Sequence, residues 1–217
     1  APQFRNAGGA DGSENSPAQD AFNLRAERGL ASFHLKQRWI SSAVYNLPFG
    51  PEKAMFNDGI ASKVLAGWQV SGIYSMQSGF PFTINLQGDT AGVGAGTGGI
   101  FIRPNAVAGQ DWQLPGDQRS TSRYFNTGAF AAPATAAFGN VGRNTVIGPG
   151  MVNLDVVLAR SFSFTETTKL QFRAEAFNVM NHSNYTIVGR LLNTPTFGRV
   201  QGQLDPRQIQ FSAKLLF

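Results

Sequence analysis

The chain has 217 residues, a net charge of +5 and no cysteine. Disulfides, thiol catalysis and cysteine-ligated metals are therefore excluded, and no apolar run approaches the roughly 18 residues of a membrane-spanning helix. Only 14% of residues are charged, against about 25% in an ordinary soluble domain, while 12% are aromatic, with 18 Phe and 25 Gly. That balance fits an all-β surface facing something less polar than water.

Residues 1–30 are rich in Gly, Ala, Asn and Asp and read as a loop. The chain begins at Ala1, without Met or signal peptide, so it is expected to be processed or part of something longer. A first strand is expected over 31–47. Ala31, Phe33, Leu35, Trp39, Ala43, Tyr45 and Leu47 fall on one face, with Gln37 and Ser41 as exceptions; His34, Lys36, Arg38, Ser42 and Asn46 fall on the other. Leu47-Pro48-Phe49-Gly50-Pro51 breaks it, because Pro cannot donate to a ladder. A second strand is expected over 68–84, where Trp68, Val70, Tyr74, Met76, Phe80 and Phe82 alternate with polar residues and Gly.

Residues 87–150 have no sustained period and hold the glycine run 92–99, so they read as a long loop with room for short hairpins. A third strand is expected over 151–164. Val152, Leu154, Val156, Leu158, Phe162 and Phe164 face one way, and Arg160 is the misfit on that wall. Thr165-Glu166-Thr167-Thr168 reads as a tight turn into a fourth strand, 169–178, with Leu170, Phe172, Ala174 and Ala176 on the apolar side. A further loop leads to a fifth strand, 207–217. There Ile209, Phe211, Ala213, Leu215 and Phe217 share one wall, and Gln208, Gln210, Ser212 and Lys214 the other, with Leu216 the apolar intruder.

Long and short connections alternate along this reading, as they do in outer-membrane barrels. The fold class expected is all-β: antiparallel up-and-down strands of an outer-membrane β-barrel. Its parts are 1–30 as an extracellular loop, 31–86 as a hairpin, 87–150 as a long extracellular loop and 151–217 as the last three strands. The fifth strand resembles the terminal strand that the barrel-assembly machinery reads, which makes Ile209, Phe211, Ala213, Leu215 and Phe217 the candidate assembly signal. If Phe217 marks the periplasmic end, Tyr45, Phe49, Trp68, Phe162, Phe164 and Phe217 gather as a periplasmic girdle. Arg160 lies near that end, within reach of the headgroups.

The motifs point to one family. They include Asn23-Leu24-Arg25-Ala26-Glu27-Arg28-Gly29, Leu47-Pro48-Phe49-Gly50, Gly67-Trp68-Gln69-Val70-Ser71-Gly72, Gln77-Ser78-Gly79-Phe80-Pro81, Arg103-Pro104-Asn105 and Phe125-Asn126-Thr127. Phe138-Gly139-Asn140, Gln171-Phe172-Arg173-Ala174-Glu175-Ala176-Phe177-Asn178, Asn181-His182, Phe197-Gly198-Arg199-Val200 and Asp205-Pro206-Arg207-Gln208-Ile209-Gln210-Phe211 follow. In this order, over nearly all of 20–217, the set resembles the carboxy-terminal part of Oar-like TonB-dependent outer-membrane receptors, of the acidobacterial type. The resemblance implies a barrel of about 22 strands, plugged by an amino-terminal domain, that takes up a ligand using energy relayed from the inner membrane. It also implies location in the bacterial outer membrane. These 217 residues show no plug or TonB box, and about five strands cannot close such a barrel.

Sites are sparse. His34 and His182 stand far apart with no carboxylate at ligand spacing, which favours ordinary lumen or loop histidines over a metal site. The glycine run lacks the Lys-Ser/Thr of a phosphate loop. Asn181-His182-Ser183 matches a glycosylation sequon that a bacterial origin makes incidental. No serine sits in a nucleophile elbow, and no enzymatic site or cofactor is expected. Lys36, Arg38, Asp155, Arg173 and Glu175 are the candidates for lining a lumen or contacting a plug, the alternative being a generic wet wall. Scattered basic residues argue against nucleic acid. The partners expected are outer-membrane lipid, the rest of the barrel with its plug, and the assembly machinery. A second reading is a released, extracellular β-rich fragment whose open edges pair with copies of itself. A soluble β-domain is a third, disfavoured by the low charge. The ligand is not legible.

Overall fold

The computed structural model describes residues 17–51, 53–56, 58–94 and 102–217, with backbone alone at 61 and 63. In chain order the elements are β1 (Arg38–Asn46), α1 (Gly59–Leu65), β2 (Trp68–Gln77), β3 (Pro81–Phe82), β4 (Asn85–Leu86), β5 (Asn105–Ala106) and β6 (Phe130–Ala131). There follow β7 (Val146–Ile147), β8 (Met151–Ser163), β9 (Lys169–Phe177), β10 (Tyr185–Val188), β11 (Leu191–Leu192), β12 (Val200–Gln203) and β13 (Gln208–Leu216).

The five long strands make one antiparallel sheet in the order β1-β2-β8-β9-β13. At one end of the β1/β2 pair the Leu47 N–H donates to the Trp68 carbonyl, and at the other the Ser78 N–H donates to the Gln37 carbonyl. The strands run 9 to 13 residues, near the 9–11 that a tilted strand needs to cross a bilayer. Among the described residues they do not close on themselves: β1 and β13 are the edges.

The chain divides into two compact units. One contains the sheet, from Arg38–Met76, Val152–Ser183 and Asp205–Phe217. The other gathers the described parts of Ala1–Gln37, Gln77–Met151 and Asn184–Leu204.

The apolar core belongs to the second unit. Phe82, Ile84, Phe125, Phe130, Val141, Val146 and Val188 are buried there, with Phe197 and Trp112 packed against them. Phe125 meets Phe130 and Phe197 edge-on, at ring separations of 5.8 and 5.2 Å. Such contacts add about 0.5–1.5 kcal/mol each beyond the burial of their area. Small ladders tie the unit: β3/β7, β5/β6 and β10/β12 antiparallel, β4/β11 parallel.

Several sequence expectations are corrected here. β1 starts at Arg38, not at 31. The chain turns at 31–34, where the His34 N–H bonds the Ala31 carbonyl, and the Asn144 amide claims the Leu30 carbonyl at 2.7 Å. Those local bonds outcompete a ladder that the alternation alone would allow. β2 ends at Gln77 rather than 84, because Gly79 passes so close to Gly148 that a Cβ would sit 1.7 Å from its carbonyl oxygen. Phe82 is consequently in the core of the second unit and not on a sheet wall. Residues 102–150 and 184–204, expected as loops, carry most of that unit's ladders and core. The connection between the first two strands contains α1. Residues 1–16, and 95–99 of the glycine run, lie outside the described residues.

Candidate functional site

Register decides what the sheet presents. Leu158 faces Ala174, which faces Phe211; Phe162 faces Leu170, which faces Leu215; and Arg160 faces Phe172, which faces Ala213. These rows form one wall, since residues opposite each other across a ladder share a face. Phe172 and Phe211 stack at 6.3 Å. On the other wall Val157, Glu175 and Gln210 form one row, and Ala159, Arg173 and Ser212 the next. The sheet thus has a dry face and a wet face, and the dry face is open: Trp39 is 62% exposed and Phe211 70%. A soluble fold would cover that wall with a second layer. Such an open wall fits a membrane barrel.

The family model of the outer membrane beta barrel domain matches residues 3–210. The chain belongs to that family. No curated protein and no solved structure matches it. An outer-membrane barrel domain resides in the bacterial outer membrane and turns its apolar wall to lipid and its polar wall inward. Ile209, Phe211, Ala213 and Leu215 occupy the dry wall of β13, and Phe217 follows the strand.

Three of the five inward candidates fall into two groups. Arg173 and Glu175 form an ion pair of 2.5 Å, and the Gln210 amide donates to the other Glu175 oxygen. This triad joins β9 to β13 on the wet wall. Asp155 accepts from the Asn153 amide at 2.8 Å and from the Asn178 backbone N–H at 3.0 Å. It is a clamp where β9 ends. Asn178 itself, with φ at 49°, passes the tie onward: its amide reaches the His182 and Asp205 carbonyls. Lys36 and Arg38 stand apart from these groups. Lys36 precedes β1 in the other unit, and Arg38 is the exposed first residue of β1.

Sequence reasoning missed a third cluster, in the loop-built unit. Glu27 receives both Arg103 terminal nitrogens, at 2.8 and 2.9 Å, while Arg143 lies 3.8 Å away. The Arg103 backbone N–H donates to Gln19, whose amide donates to the Gly139 carbonyl. A Cβ on Gly139 would lie 1.9 Å from the Arg103 carbonyl oxygen. Asn105 and Asn140 exchange bonds across the same junction: the Asn140 N–H donates to Asn105, and the Ala106 N–H donates to Asn140. Three of the motifs therefore meet in one place, Asn23–Gly29, Arg103–Asn105 and Phe138–Asn140. The signal was their co-occurrence; what each touches was not visible.

An open cavity of about 420 Å³ borders this cluster, lined by Glu27, Leu30, Phe33, Arg143 and Asn144 among others. Glu27 is already bonded to Arg103, and the Asn144 side chain to Thr83 and Leu30. The cavity's polar walls are fasteners of the unit. Nearby in sequence to the aromatic core, Tyr124 is buried, and burial pushes its phenol up; Arg119, over its ring at 5.3 Å, opposes this only in part. Among the described residues no three His, Asp or Glu side chains gather as a metal-binding set.

Proposed function

We propose that these residues supply five strands and folded outer loops to the barrel of a TonB-dependent receptor, of the Oar-like type, for an unidentified ligand. The ordered motifs support the type. The observation that carries the reading is the open two-walled sheet: unpaired backbone edges are costly in lipid, so β1 and β13 require further strands. Those strands, and a plug against the wet wall, are the partners this reading names, together with lipid and the assembly machinery. The wet-wall triad of Arg173, Glu175 and Gln210 is a fitting surface for a plug because it is polar and internally neutralised. The reading includes no enzymatic step, cofactor or nucleic acid.

A photo-crosslinking residue at Ser212, in the complete protein in outer membranes, tests this. The expected result is an adduct with a plug segment, lost when the plug is deleted. Adducts with lipid, or none, would contradict it. The two open edges also favour a second reading, in which copies of the chain pair into an oligomer. That reading expects Ser212 adducts between copies and a particle mass that is a multiple of the chain's.

A further inference from the structure

We propose that the segment joining β1 to β2, in its described residues 47–51, 53–56 and 58–67, is a lipid anchor that lies in the headgroup region of the bilayer beside the barrel wall. Short inter-strand turns of a barrel ordinarily end in water. This one does not have that character. It folds on itself: the Met55 N–H bonds the Pro48 carbonyl, the Gly50 N–H bonds the Met55 carbonyl, and Phe49 meets Phe56 edge-on at 5.3 Å. A Cβ on Gly50, with φ at 116°, would lie 2.4 Å from the Ala66 Cβ, so the segment's two ends are packed together. The folded segment nevertheless leaves Met55, Phe56, Ile60 and Val64 exposed, Ile60 at 81%. Ile60 and Val64 are four apart in α1 and share one of its faces.

Two bonds fix which side of the sheet the helix serves. The Val64 carbonyl, in the last turn of α1, accepts from the Trp68 indole N–H at 3.2 Å and from the Arg160 guanidinium. Both side chains belong to the dry wall. Trp68 packs edge-on against Phe172 at 6.0 Å, and Arg160 stacks over Phe162 at 4.1 Å. The end of α1 is therefore tied to the wall that faces lipid, and its exposed apolar residues continue that wall. The types at the junction, Trp and Arg, suit a boundary where one end of a side chain is apolar and the other wet. The occupant this assigns is phospholipid at the headgroup–acyl boundary, to a depth of about 5–10 Å.

The inference rests on the barrel reading, so its test carries an internal control. These residues hold no cysteine. Single cysteines at Ile60 and at Met55 are labelled with an environment-sensitive fluorophore in the complete protein, folded into phosphatidylethanolamine–phosphatidylglycerol vesicles. Phe211→Cys reports the mid-wall and Ser122→Cys reports water. We expect both anchor labels to be blue-shifted, to lose quenching by aqueous iodide, and to be quenched more by lipids brominated near the carbonyl than near the chain end. The Phe211 label should show the opposite depth preference. Iodide quenching at 55 and 60 as strong as at 122, with Phe211 still quenched by lipid, overturns the anchor and leaves the barrel. Protection from both iodide and brominated lipid means a protein covers the segment and equally overturns the anchor. Failure of lipid quenching at Phe211 overturns the wall itself.

Discussion

Arg160 and Trp68 share one acceptor. The guanidinium lies 5.9 Å from the indole ring, and both side chains donate to the Val64 carbonyl at the end of α1. This explains how a cation is tolerated on an apolar wall. It is hydrogen-bonded at the negative end of a helix, where cations are favoured, and it is stacked between aromatic faces.

Arg160→Met should destabilise the folded sheet by about 1.5–3 kcal/mol, the usual net value of a hydrogen bond to a charged group. Arg160→Lys should recover part of this, since it keeps the charge and loses the planar stacking. Urea midpoints in detergent micelles read the effect. A Met variant as stable as the parent would show that the Val64 bond contributes nothing.

Away from the Arg160 junction, a new charge on the dry wall should be costly. Phe211→Arg, near the middle of β13, should cost about 2–4 kcal/mol in a bilayer. Ser212→Glu, one residue on but facing inward and opposite Arg173, should be nearly neutral. The fraction of heat-modifiable protein in outer membranes distinguishes them. Equal loss in both would mean that the two walls are not chemically different.

Glu27→Gln should open the loop-built unit and spare the sheet. Arg103 is 4% exposed and would lose its counter-charge, and breaking a buried pair typically costs about 3–5 kcal/mol. Limited proteolysis should cut residues 102–150 far faster while the strands stay protected. Unchanged cleavage would show that the pair is not what fastens the unit.

The same unit should weaken in alkali. The Tyr124 phenol is neutral when protonated, and burial holds its folded pKa above the ordinary value of about 10. Below that value both states keep the proton and stability is complete. Above it the unfolded chain releases its proton first, so stability falls as pH rises through the folded value. Proteolysis of the loop unit should therefore accelerate above about pH 10, and Tyr124→Phe should remove that part of the acceleration. A Phe variant with the same alkaline profile would contradict this.

The sheet was legible because its signal is repeated. Three strands match their period-2 runs to within a residue or so, and the register keeps Val156, Leu158 and Phe162 of β8 on one wall with the expected apolar residues of β9 and with Ile209, Phe211, Ala213 and Leu215 of β13. The failures fall where local bonds decide. Nothing in Phe33 or Leu35 announces that Asn144 will take the Leu30 carbonyl. Gly79 gives no sign that it passes against Gly148. The loop unit was illegible for a different reason. Its buried residues, Ile102, Phe125, Phe130, Val141 and Val188, arrive singly between turns, so no periodicity forms. The wet-wall candidates were partly legible: alternation placed Arg173 and Glu175 together, and Gln210 became their partner only through the β9/β13 register.

The central claim is that β13 has one face in lipid and one in water. Single cysteines from Gln208 to Leu215, probed in native outer membranes with a small water-soluble maleimide, test it most directly. Gln208, Gln210, Ser212 and Lys214 should react, and Ile209, Phe211, Ala213 and Leu215 should not. Uniform reactivity, or the inverse alternation, would contradict the account.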